Sequence, residues 1–382
     1  MGSKSSLGLV GILAAAILVA LLPTASLAAP PVCKFDGATA TVTIAIPRNE
    51  TATLSRTGDA ILLDGAACDT ATVTNTDLVL FVNAANMPGK ANVTIDLTGG
   101  PFAPGLTPES DGNSEIEIWH AFTNTVAGTL KVIGSADADR VDVMAGFSEG
   151  AFGNWLDLNM GGPNDGEGDI CAGLFERFEF DLGPGDDRVS LDDVEGFSLP
   201  SVLRGGPGDD VLPDGSSIDE IHGGPGVDTL LGYWTLDIDL RNPTFPGPGG
   251  DQALSEIENV HALSGLNVIV GTDGRNELIG GPTKDFIFGG GGNDGLIGRG
   301  GEDVLAGELG DDLLRGARGE DTLLGGRGDD ELLGATGADT LYGGEDRDLL
   351  FGGTQNDELR GGPGIDRCLG GPGVDVLRAC EL

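Results

Sequence analysis

The sequence predicts an all-β chain whose larger part is wound as a parallel solenoid. Three observations lead there. From Gly271 to Arg378 the chain divides into twelve consecutive nonapeptides with no insertion. Each nonapeptide places one apolar residue at a fixed position, and periodicity of this kind marks stacked supersecondary units. Elsewhere, short alternating or β-branched runs are separated by turn residues, and amphipathic helical periodicity is lacking.

In chain order, residues 1–28 read as a signal peptide. A short polar start carries Lys4, an apolar run extends from Leu7 to Leu22, and Ser26-Leu27-Ala28 offers small residues where a signal peptidase reads. The run is shorter than the ~20 residues of a spanning helix. Residues 29–181 form a β-rich region, with strands expected at 40–46, 78–82, 92–97, 115–119 and 130–133. Gly134 to Val141 resembles a worn repeat turn. The region therefore reads as an irregular β-solenoid or a cap, with a separate β-sandwich as the alternative.

Residues 182–240 carry degenerate repeats. LGPGDDRVSL places Asp187, GGPGDDVLP places Asp210 and GGPGVDTLL places Asp228, while 214–222 is a worn copy that keeps Asp219 and Ile221. The first of these turns is out of frame with Gly205, so a coil there must be longer. Residues 241–270 read as a linking coil: strand-like text at 234–240 leads into it, 242–251 is a Pro/Gly loop, and strand-like text returns from Ser255. Residues 271–378 are the regular array, and 379–382 end the chain.

Within the array the first position is Gly in all twelve units and the fourth is Gly in nine. The sixth is Asp in eleven, with Asn276 the exception, and the eighth is Leu or Ile in eleven, with Cys368 the exception. Gly at the first, second and fourth positions suits a tight turn with close backbone approach or positive φ. The segment around the eighth position is extended, with its Leu pointing inward and the flanking side chains outward. Two nonapeptides make one coil. Asp285, Asp303, Asp321, Asp339, Asp357 and Asp375 then line one edge, and Asp294, Asp312, Asp330, Asp348 and Asp366 the other. Carboxylates ~5 Å apart repel by about 1 kcal/mol in water, and by more where solvent is thin. A divalent ion between turns turns that repulsion into coordination. Ca²⁺ suits oxygen-only sites of six to eight ligands better than Mg²⁺, which demands strict octahedral geometry.

These residues resemble the hemolysin-type, or RTX, calcium-binding repeat, GGxGxDxUx. The resemblance covers Gly271 to Arg378. It implies a right-handed parallel β-roll, several Ca²⁺ ions held by sixth-position Asp and turn carbonyls, and folding when calcium is met outside the cell. The ligands it implies are the aspartates of the two edges together with Asp187, Asp210, Asp219 and Asp228. Thr283, Asp346 and Gln355 depart at the fourth position and Asn276 at the sixth, so sites beside them are expected to be weaker or empty.

Composition fits this reading. Acidic residues number 61 against 21 basic, a net charge of −40, and Gly accounts for 67 of 382 residues. Such a charge disfavours nucleic acid and anionic membranes and favours bound cations. An exported chain can oxidise its cysteines. The expected pairs are Cys33–Cys68 and Cys368–Cys380, with Cys171 left over, although spacing alone does not fix the connectivity.

Catalytic patterns are lacking. No His begins an HExxH, and no Gly-Lys-Ser/Thr occurs. Gly290-x-Gly292-x-x-Gly295 lies inside the repeat and opens no helix. Gly146-x-Ser148-x-Gly150 has no strand-to-helix elbow around it. Two acidic loops, 109–115 and 165–169, lack EF-hand spacing and read as solvated. The expectation is a non-enzymatic, secreted calcium-binding protein that uses a general secretory route. Its partners would be calcium ions and cell-surface or matrix components, with no nucleic acid and no membrane span once the signal is removed. The rival readings are a hydrolase housed in the N-terminal region and a calcium-dependent adhesin or matrix protein.

Overall fold

The protein is described from a computed structural model, which covers residues 30–47, 50–76, 78–83, 92–99, 117–121, 127–134, 140–148, 151–159, 170–171, 175–190, 201–214, 218–233, 236–242, 244–247 and 250–381. The signal peptide, both acidic loops and most of the worn turn at 134–141 lie outside these residues. Two compact units divide between Pro207 and Gly208. Strands dominate both units, and no helix occurs among the described residues.

The first unit winds in parallel. Thr41–Ile46 pairs in parallel with Leu78–Asn83, and Leu78–Asn83 with Glu117–Ala121, with Thr41 opposite Leu78 and Leu78 opposite Glu117. A second ladder runs through Thr51–Thr57, Asn92–Asp96, Ala127–Ile133, Phe175–Asp181 and Ser201–Arg204, parallel at every step. A sandwich would pair its strands mostly antiparallel, so the larger-coil solenoid is the arrangement found. Antiparallel hairpins decorate it: Val32–Asp36 lies against Thr41–Ile46, and Thr51–Thr57, Ala60–Leu63 and Ala66–Thr72 form a meander. Cys33 is bonded to Cys68, tying the first strand to the meander's last.

The sequence explains the inward face. In TVTIAI, Val42, Ile44 and Ile46 are buried, as are Val79 and Phe81 of the paired strand and Leu54, Ile95 and Val132 of the other ladder. Within TVTIAI, Thr43 and Ala45 are buried as well, so this strand is covered on both faces. Phe178 and Phe180 stack with ring centroids 6.2 Å apart. Strands such as Val32–Asp36, Thr51–Thr57, Ala60–Leu63, Ala66–Thr72 and Phe175–Asp181 were not foreseen; Thr51–Thr57 and Ala66–Thr72 are rich in Thr and Ala and carry a weak apolar signal. Ser148 ends an antiparallel hairpin, opposite Ala151.

The second unit contains the array. One ladder includes Thr229–Gly232, Asn259–Ala262, Glu277–Ile279, Gly295–Gly300, Leu313–Arg318, Glu331–Thr336, Leu349–Thr354 and Arg367–Leu369. The facing ladder runs from Asp237–Asp239 and Val268–Val270 through Phe286–Gly291, Val304–Leu309, Thr322–Arg327, Thr340–Glu345 and Glu358–Arg360 to Val376–Arg378. Both are parallel throughout. Ile287, Leu296, Leu305, Leu314, Leu323, Leu332, Leu341, Leu350 and Leu359 are all 0% exposed, so the eighth position builds a continuous spine. Each such side chain contributes about 2 kcal/mol of burial. The strands are longer than the eighth position and its neighbours alone: Gly295–Gly300 and its equivalents continue through the first three residues of the next turn.

Residues 242–251 were expected to loop. Instead Thr244–Gly247 pairs antiparallel with Gly250–Ser255, which itself pairs in parallel with Ile218–His222. The Pro/Gly text forms a hairpin because Phe245 and Pro246 occupy a strand opposite Gln252 and Asp251, with no stack of neighbours demanding every backbone N–H.

Candidate metal centre in the stacked turns

Each regular turn stacks directly on the turn one coil away. The fourth-position carbonyls of Gly292, Gly301, Gly310 and Gly319 abut the Cα atoms of Gly310, Gly319, Gly328 and Gly337. A side chain there would strike backbone. Gly292, Gly301, Gly310, Gly319, Gly328 and Gly337 also have positive φ, as the sequence suggested. The first-position glycines have a different cause. Their φ is ordinary; what they lack is space, because a Cβ on Gly298, Gly307 or Gly316 would collide with Oδ2 of Asp303, Asp312 or Asp321 in the same turn.

The sixth-position aspartates form two columns. In one, Oδ1 of Asp303, Asp321, Asp339, Asp357 and Asp375 accepts the backbone N–H of Asp285, Asp303, Asp321, Asp339 and Asp357, at 2.8 to 3.1 Å. In the other, Asp294, Asp312, Asp330, Asp348 and Asp366 accept from Asn276, Asp294, Asp312, Asp330 and Asp348. Asp228 accepts from Asp210 in the same way. One oxygen of each carboxylate is thus committed to coil-to-coil bonding. The other, Oδ2, is buried without a hydrogen-bond partner at Asp228, Asp294, Asp303, Asp312, Asp321, Asp330, Asp339, Asp348, Asp357 and Asp366.

Such a row of buried anionic oxygens is costly unless protons or cations reach it. Burial pushes the carboxyls of Asp228, Asp303 and Asp330 up to about 7, and those of Asp294, Asp339 and Asp348 up to about 6. Asp312, Asp321, Asp357 and Asp366 are raised for the same reason. Neighbouring carboxylates push further in the same direction, Asp312 and Asp348 on Asp330 for example.

The donor set fits Ca²⁺. It consists of buried carboxylate oxygens beside stacked turn carbonyls, with neither thiolate nor imidazole. Among the described residues no three His, Cys, Asp or Glu side chains converge as a zinc site would require. An ion here would take one or two carboxylates and complete its shell with backbone oxygens, as calcium does.

Not every expected residue joins the set. Asp285 Oδ2 accepts the Gly281 N–H at 2.7 Å, and its Oδ1 accepts both the N–H and the side-chain amide of Asn267. Its oxygens are engaged without a metal. Asn276 is likewise satisfied: its carbonyl accepts from Thr272 and its amide donates to the Glu258 carbonyl. Asp219 lies inside the strand Ile218–His222 and not in a turn ahead of one, so the worn copy places it outside the columns. The enlarged coil with its hairpin displaces that segment. Asp375 is half-buried, with only one neighbouring coil. Asp187 and Asp210 are buried as expected; the turn of Asp187 stacks on 204–207, where Leu182 and Gly185 donate to Arg204 and Pro207.

Several participants were missed in the sequence. Asp214 is buried, accepts from Tyr233, and has its carboxyl raised to about 6 by burial. Fifth-position side chains form outer columns of their own: Asn293 accepts from Asp311, Asp311 from Asp329, and Asp329 from Arg347. Their eighteen-residue spacing was the available signal. Asn267 and Glu258 lie 18 residues before Asp285 and Asn276, at the sixth position of worn units upstream of Gly271.

Comparison with protein families now bears on this geometry. Residues 202–234 and 261–296, and a run of overlapping matches from 297 to 377, fit the family model of the RTX calcium-binding nonapeptide repeat, four copies. These turns are RTX calcium-binding repeats. Comparison with curated proteins gives no match. RTX repeats of this kind bind several Ca²⁺ ions. The matched segments leave out 235–260, where the enlarged coil lies.

Proposed function

We propose that this is an exported protein whose RTX array folds on calcium and then acts as a stiff structural or interaction module outside the cell. The observation that carries the proposal is the pair of aspartate columns with buried, unpartnered Oδ2 atoms. At neutral pH and without a cation, an array that buries so many carboxylates has little reason to close. Millimolar calcium outside the cell matches the affinity of extracellular modules, about 10⁻⁴–10⁻³ M. The apolar N-terminal stretch supports export, and among the described residues no helix is long and apolar enough to cross a membrane.

Calcium binding to the full mature chain, measured by isothermal titration calorimetry, tests the ligand assignment. Substituting both Asp321 and Asp339 by Ala is expected to lower the number of bound ions and the local order together; unchanged stoichiometry would refute it. Export is tested by recovering the protein from the medium and sequencing its N-terminus, expected just after Ala28.

A further inference from the structure

The column that holds Asp228 and Asp366 is broken twice by coils that depart from eighteen residues. At both breaks a glutamate takes the place of the missing aspartate. Beyond Asp228, Glu258 Oε2 accepts the Asp228 N–H at 2.9 Å, and the backbone N–H groups of Glu258 and Asn259 donate to the Asp228 carbonyl. Beyond Asp366, Glu381 Oε2 accepts the Asp366 N–H at 2.6 Å, and the Glu381 N–H donates to the Asp366 carbonyl at 2.7 Å.

The regular coils make the same two links with aspartate. Asp330 Oδ1 accepts from the Asp312 N–H, and the Glu331 N–H donates to the Asp312 carbonyl. Glu258 reproduces this pattern, with the Asn259 N–H in the place of the Glu331 N–H; Glu381 makes both links itself, one residue out of step with the regular coils. The tail is held in register by the Cys368–Cys380 disulfide and by a parallel bridge between Arg367 and Glu381. At both breaks the aspartate also keeps its Oδ2 buried and unpartnered, and Asp228 and Asp366 are both 0% exposed. Glu258 falls between the two family-matched segments and Glu381 beyond the last.

We propose that Glu258 and Glu381 are calcium ligands, completing sites with Asp228 and Asp366 respectively; this rests on the calcium reading given above. A carboxylate has about four lone-pair sites, so accepting one N–H leaves it free to coordinate. Asn276 is the contrast within the same column. It is neutral and internally satisfied, and it leaves a gap between the Glu258 turn and the Asp294 turn.

Long-wavelength anomalous difference maps from crystals of the full mature chain grown in calcium test the assignment. Peaks are expected beside Asp228–Glu258 and Asp366–Glu381, and none beside Asn276. Peaks along the turns from Asp294 to Asp348 with none at the two glutamates would overturn this inference alone. No peak anywhere would overturn it together with the calcium reading. By equilibrium dialysis with radioactive calcium, Glu258→Gln and Glu381→Gln are each expected to lose one bound ion. An unchanged count in a variant with native circular dichroism would contradict the role. Should Glu258→Gln fail to fold, Glu381→Gln at the tail decides the matter.

Discussion

Each sixth-position aspartate divides its two oxygens between two tasks: Oδ1 joins neighbouring coils and Oδ2 waits in the turn. First-position glycine exists to make room for that second oxygen. Gly316→Ala would drive a methyl group into Asp321 Oδ2, and should raise the calcium concentration needed for half-folding several-fold. The adjacent Ala317 has φ of 82°, a conformation that costs an L-residue about 1 kcal/mol. Ala317→Gly should therefore stabilise the calcium-loaded array by up to about that amount, read from its thermal melt. Protonation acts through the same Oδ2 atoms. In chelator, Asp303 and Asp330 titrate at about 7 in the folded array, against 3.8 when unfolded. A raised folded value means that protons favour the folded chain. This contribution is complete below the unfolded value and is lost as pH rises through the folded one. The metal-free array should thus resist urea better at about pH 4.5 than at about pH 7.5. With saturating calcium this dependence is suppressed, because protons and ions compete for the same oxygens. The urea midpoint in saturating calcium should change little between about pH 7 and pH 6.

Among the turns, the partner of Oδ2 decides function more than the consensus letter does. Asp285 and Asp321 both hold the sixth position, yet Gly281 satisfies the first while the second has no donor. Asp285→Asn should leave calcium stoichiometry unchanged, and Asp321→Asn should lower it, as measured by calorimetry. Thr283 at the fourth position signalled a weaker or empty site beside Asp285; the bonds from Gly281 and Asn267 that engage its oxygens were not legible in the sequence. The array itself was legible. A strict nine-residue spacing leaves one way to align the core positions from Ile287 to Leu359, and the aspartate columns follow from it. The five strands foreseen in the first unit also occur, since TVTIAI and NVTID alternate plainly. Hairpins such as Arg140–Ser148 with Ala151–Asn159 were missed because Gly and Ala dilute the alternation. Glu381 was missed because the short last coil returns it off the eighteen-residue spacing, and Glu258 because its worn unit has Ala253 and Glu256 where a turn carries Gly, although it lies 18 residues before Asn276.

At the scale of the whole molecule, two kinds of stabilisation divide the chain. The first unit has a broad apolar core, including Phe81, Phe178 and Phe180, and the Cys33–Cys68 link. Among that unit's described residues Asp187 is the one charged side chain that is buried. The regular array has one apolar spine of Leu and Ile and two columns of buried carboxylates, so its closure depends on charge neutralisation. Limited proteolysis in chelator should accordingly clear the array while the first unit persists, and added calcium should protect both. The most direct test is far-UV circular dichroism of the purified mature chain during a calcium titration from excess chelator, with magnesium as control. A large gain of β signal with calcium, saturating near millimolar, and little gain with magnesium is the predicted result. The same β signal in excess chelator at neutral pH as in saturating calcium would contradict the account.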